Sequence, residues 1–271
     1  MHCPHIIFSI VLSCLSLLNT LPARGELLAD IRSSGRVRIA IAGEVPPFNF
    51  HTAQGKLTGS DPETAALLAQ DLGARLELVS IGNAERISVL QERRADLVLS
   101  ALSITPERER LIAFSVPYAT IAVVIAAPAK MHLSSVLDLN GKTVGALAAS
   151  SNLAHLRSNA PGARIIEYPE NDRLAEAYLA GDFDIMSAPA SIVEKTNTLK
   201  PRQPLQVHFT QMEFDIAIGL PKGEKPLRDW VNAWVVSRLQ DGSLDTVYRK
   251  YHGHALPASI VPVRPKGKTL P

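Results

Sequence analysis

Cysteine is almost missing. Of 271 residues only Cys3 and Cys14 carry a thiol, and both fall within the first 25. The rest of the chain is therefore expected to fold without disulfides and to hold no thiolate metal site. Neither charge sign dominates: 28 lysine and arginine residues face 26 aspartate and glutamate residues, without a block of either. That balance argues against a nucleic-acid partner. Past the N-terminal stretch no apolar run approaches a membrane span, since the one at 121–127 stops at Pro128. There is no G-x-S-x-G nucleophile turn and no phosphate-binding glycine loop. The histidines after residue 25 (His51, His132, His155, His208, His252 and His254) lack metal-ligand spacing apart from the last two, and a His-x-His pair alone is weak. No cofactor and no metal is expected.

What is present begins with a leader. The apolar run at 6–18 is too short to cross a bilayer, and Ala23-Arg24-Gly25 sets small residues around a cleavage site before Glu26. Residues 1–25 thus read as a signal peptide, with the unusual feature that His2 and His5 stand where lysine or arginine is customary. The chain is expected to be soluble after export.

Strand and helix patterns then alternate in two halves. Val37, Ile39 and Ile41 alternate with Arg38 and Ala40 as a strand does. Asp61-Pro62-Glu63 opens a helix that stops at Gly73, residues 76–79 form a strand, 86–93 a helix and 95–100 a strand. After Tyr118 the alternation restarts, with strands at 123–127, 143–146, 165–168 and 184–187 and helices from Ser151 and at 173–180. A strand at 216–220 leads into two terminal helices. Such alternation predicts an α/β protein with parallel sheets covered by helices, its two units flanking a cleft where the turns after strands converge.

One of those turns has anion-binding chemistry. In SALSITPERER, residues 100–110, Thr105 can cap a helix whose first residue is Pro106. Arg108 then projects from the first turn, where its fork can grip a carboxylate while Ser103 and free backbone N–H groups complete the anion's hydrogen bonds.

The motifs GRVRIAIAGEVPPFNF, LQERRADLVLSALSITPERERLIAFSVPYA, LDLNGKTVGALAASS, AEAYLAGDFDIM and WVNAWVVSRLQDGSLDTVYRKYHG, in that order, resemble the bacterial extracellular solute-binding proteins of family 3, the periplasmic polar amino-acid-binding components of ABC importers. The resemblance spans residues 35–253. It implies a type II periplasmic binding fold of two α/β lobes joined by two hinge strands, near 118–121 and 212–216. Lobe 1 would comprise 26–117 and 217–253, lobe 2 would comprise 118–216, and the Pro-, Lys- and Arg-rich tail at 254–271 is expected to be disordered. By resemblance Arg108 clamps the ligand's α-carboxylate with help from Ser103, the Ala101 carbonyl accepts its α-ammonium, and Ser151 donates from the opposite lobe. A small-molecule carboxylate and an inner-membrane permease are the implied partners, for a monomer in the periplasm.

Departures from the family pattern bear on the ligand. Pro189 stands where the family places the aspartate that binds the ammonium, Asn83 falls at the position of a covering aromatic or apolar residue, and Val45 at that of a stacking residue. Either the ligand has no α-amine, or another carboxylate serves; Glu44, on the turn after the first strand, is the candidate, with a solvated loop glutamate as its alternative. Cyclohexadienyl and arogenate dehydratases share this fold and resemble solute-binding proteins that gained a general acid. Here that position is Ile192, which has no proton to give, so a binding protein rather than an enzyme is expected. A protein that presents its ligand to a sensory receptor is a further alternative.

Overall fold

A computed structural model describes residues 26–261. The expected leader and residues 262–271 lie outside the described residues. Two five-stranded sheets organise the chain. The first has the order Arg75–Ile81, Arg36–Ala42, Leu97–Val98, Gly219–Leu220, Ala113–Phe114, and the second Leu205–Ile216, Ala119–Pro128, Ile185–Pro189, Thr143–Leu147, Arg164–Tyr168. Each sheet is a lobe's centre, with helices packed on it.

The alternating apolar residues near the start do what their period demands. Val37 and Ile39 are fully buried in the inner strand Arg36–Ala42, among Leu68, Leu72, Leu97 and Leu99. The helix Ser60–Leu72 ends where Gly73 takes the left-handed conformation at φ 70°, which glycine adopts without strain. At its other end Gly59, at φ 125°, lies so close to Phe48 that a Cβ would sit 2.3 Å from the Phe48 carbonyl oxygen. That approach seats the first turn of the helix, and with it Asp61, inside the lobe.

The sheets are mixed rather than parallel. Arg36–Ala42 pairs parallel with both neighbours, and Thr143–Leu147 with both of its own, but Gly219–Leu220 and Ala119–Pro128 run antiparallel to theirs. The reason is the crossing between lobes. Ala119–Pro128 leaves the first lobe while Leu205–Ile216 returns to it, and the two pair from Ala119↔Ile216 onward. The strand expected at 216–220 is consequently two strands, broken where the chain enters the first sheet. The helix expected at 86–93 is a 3-10 turn, Asn83–Arg86, followed by one helical turn, Ser88–Gln91, joined through Ile87. Sequence patterning did not predict the helix Ala190–Thr198.

The tail expectation needs correction over its first residues. Leu256 and Ile260 are buried against the core of the first lobe, and the Leu256 N–H donates to Asp245 at 2.8 Å. Two apolar side chains four apart are enough to fasten a segment otherwise rich in proline.

Candidate functional site

The turns after the strands of both lobes enclose a cavity of about 40 Å³, whose lining includes Val45, Ala101, Ser103, Ser151 and Pro189. Arg108 is not among the lining residues; it reaches the cavity wall through Ser103, which is. Its helix, Pro106–Glu109, starts at Thr105, whose Oγ1 accepts from the Arg108 N–H at 3.3 Å. The side chain turns inward and is 9 % exposed. Nη1 donates to the Ser103 carbonyl at 2.9 Å and Nη2 to the Ala149 carbonyl of the other lobe at 3.0 Å. Burial lowers its pKa to about 10, against the opposing pull of Glu107. Ser103 and Ser151 meet across the cleft, Oγ to Oγ at 3.0 Å. Ser151 opens the helix Ser151–Asn159, which is capped by Ser150.

Asn83, far from covering the cavity as an apolar lid, lines it and donates to the Ala148 carbonyl at 2.6 Å. Glu44 is not among the lining residues. Its carboxylate accepts from Lys195 Nζ at 3.0 Å and lies 2.9 Å from His51 Nδ1. Burial works to raise that carboxyl, but the bonds from His51 and Lys195 prevail and hold it below its usual range. As the counterion for a ligand's ammonium, Glu44 is therefore corrected: the second lobe's lysine has claimed it.

Three residues outside the sequence reading enter the site. Arg86, buried, lines the cavity and donates to the carbonyls of Asn83, Ser100 and Ala149 at 3.0, 3.4 and 3.2 Å. A sequence signal existed: Val89 and Leu90, three and four residues on, face the core, which places an arginine on the apolar face of a helical turn. Asn171 donates to the Glu44 carbonyl at 2.7 Å, while its Oδ1 is buried without a hydrogen-bond partner beside the cavity. Asn152 is held by Ser187.

Asp61 supports the site from beneath. It accepts from Tyr118 Oη at 2.6 Å and from the Ala101 N–H at 2.7 Å, and so holds Ala101 at φ 43°, a conformation that disfavours a side chain. Burial pushes its carboxyl up to about 7, outweighing the bonds from Tyr118 and Ala101. His252, stacked on Tyr248 and 3.1 Å from Ser60 Oγ, is pushed down to about 4 by burial and by His254.

The two groups oppose each other in stability. Unfolded, aspartate and histidine titrate near 3.9 and 6.5. Between those values and the native ones, native Asp61 keeps a proton the unfolded chain has lost, and native His252 lacks one the unfolded chain keeps. Asp61 thus makes stability fall as pH rises through roughly 4 to 7, and His252 makes it rise through roughly 4 to 6.5. Urea denaturation at fixed pH should show a shallow profile over that window for the unsubstituted chain. His252→Asn should uncover the falling slope, of at most about 1.4 kcal/mol per pH unit, and Asp61→Asn the rising one. Identical profiles for all three proteins would show that neither group titrates there.

Residues 37–254 match the sequence profile of the bacterial extracellular solute-binding proteins, family 3. The cyclohexadienyl dehydratase of Pseudomonas aeruginosa is 30% identical over 86% of this chain and 89% of its own. The L-cystine-binding protein TcyJ of Escherichia coli is 29% identical over 84% of this chain and 86% of its own. Among solved structures, an ancestral amino acid-binding protein described as a precursor of cyclohexadienyl dehydratase superposes with a TM-score of 0.74 at 27% identity, covering 83% of this chain and 98% of its own.

Proposed function

The chain belongs to the bacterial extracellular solute-binding proteins, family 3, and from that membership we propose that it captures a small carboxylate, an amino acid or related compound, in the periplasm for an ABC importer. The observation that carries this reading is Arg108: a buried guanidinium at the lobe interface whose hydrogen-bond partners are neutral carbonyls. A buried cation without a counterion is costly, and a bound carboxylate supplies the missing charge. Ser103 and Ser151 stand beside it from both lobes. An ammonium on the ligand would meet the Ala101 carbonyl and Asn171 Oδ1, both neutral acceptors, rather than Glu44.

The similarity to cyclohexadienyl dehydratase keeps an enzyme as the second reading. Against it, Ile192 is buried in the second lobe's core with Val193 and Leu174, outside the cavity lining, so the acid position of that chemistry offers neither a proton nor access. A thermal-shift screen of amino acids, keto acids and hydroxy acids, run beside an assay for loss of water from arogenate, separates the readings. A ligand that raises the unfolding midpoint with no turnover is expected; turnover would favour the enzyme.

A further inference from the structure

The cavity carries more positive charge than one carboxylate offsets. Arg86 lines it and Arg108 is bonded to Ser103, which does; both arginines are buried, and both donate to the same Ala149 carbonyl. Among the described residues neither arginine forms an ion pair. The nearby carboxylates are engaged elsewhere: Asp61 by Tyr118 and the Ala101 N–H, Glu44 by Lys195 and His51. Arginine keeps its proton in proteins, and Arg86 is disfavoured by burial and by its like-charged neighbour Arg108. A latch between the lobes needs no such charge. Asn83 makes the equivalent cross-cleft bond, to Ala148, with a neutral amide.

We propose that the ligand is a dicarboxylate, one carboxylate held by Arg108 with Ser103 and Ser151, the second by Arg86. The inference rests on the reading of Arg108 as a carboxylate clamp and adds the second anionic group. With arginines this close, the two carboxylates belong on a short chain.

Isosteric pairs test it, because an acid and its amide differ in charge and little else. Calorimetry compares L-glutamate with L-glutamine, and succinate with succinamate. The diacid should bind tighter by about tenfold or more in at least one pair, the usual scale of a charge-assisted bond. In Arg86→Gln, which keeps donors for the backbone carbonyls, that preference should shrink to within about threefold, because the diacid loses more affinity than the amide. Arg86→Lys, which retains the charge, should keep a preference for the diacid, and unfolding midpoints check that both variants fold. Equal affinity for acid and amide would overturn the proposal. So would an equal loss for both in Arg86→Gln, the mark of a structural latch. If none of the four compounds binds but other monocarboxylates do, the second anion site is wrong and the carboxylate reading stands. If no carboxylate binds at all, both fail.

Discussion

Arg108→Ala is expected to weaken carboxylate binding at least about a hundredfold, the effect of leaving a desolvated carboxylate without its counterion, about 3–5 kcal/mol. The size follows from burial. On a surface the same pair would contribute at most about 1 kcal/mol, because water screens it; at 9 % exposure water is largely excluded. Arg108→Lys should recover part of the loss and not all, since an ammonium lacks the planar fork that meets both oxygens of a carboxylate. Calorimetry with the tightest ligand from the screen checks both variants. The helix carrying Arg108 is capped by Thr105 through backbone and side chain, so the alanine variant should fold. Near-normal affinity in that variant would remove the basis for placing the ligand at this cavity.

Arg108 was legible because everything that places it is local. A capping threonine, a proline at the first helical position and an apolar strand just before are all within about ten residues of one another. The strand Arg36–Ala42 was legible for the same reason, its period of two being written into Val37, Ile39 and Ile41. Residues whose orientation depends on the other lobe were not. Whether Glu44 faces the cavity or turns from it is decided by Lys195, 151 positions later. The buried, unpartnered Oδ1 of Asn171 is a property of the closed cleft, since the amide's other end is tied to Glu44 in the opposite lobe. Arg86 falls between these cases. Its spacing from Val89 and Leu90 marked a buried face, but an amphipathic helix read over 86–93 turns an arginine outward by default, and only the break at Ile87 lets the side chain reach Ser100 and Ala149. Asp61, read as a helix opener, is buried because Gly59 brings the helix start against Phe48.

A disulfide between Ser103→Cys and Ser151→Cys should abolish binding reversibly. The cavity's roughly 40 Å³ accommodates a few waters, well short of an amino acid, and bonds across the cleft hold the lobes together around it: Arg108 and Arg86 to Ala149, Asn83 to Ala148, Ser103 to Ser151, and Asn171 and Lys195 to Glu44, itself outside the lining. A ligand must therefore enter a more open arrangement, which the paired hinge strands Ala119–Pro128 and Leu205–Ile216 permit by rotation of one lobe against the other. The two serine hydroxyls approach to 3.0 Å, so sulfur atoms in their places would face each other across the cleft at close range. Beyond residue 25 the chain has no other cysteine, so the bridge has no competitor there. Oxidation traps the closed form and removes the binding-competent population, whose fraction sets the apparent affinity. The oxidised variant should bind at least about a hundredfold more weakly than the same variant after reduction, with non-reducing electrophoretic mobility reporting the bridge. Unchanged binding in fully bridged protein would mean that the ligand reaches Arg108 without the lobes parting, and that hinge motion is not how this protein admits it.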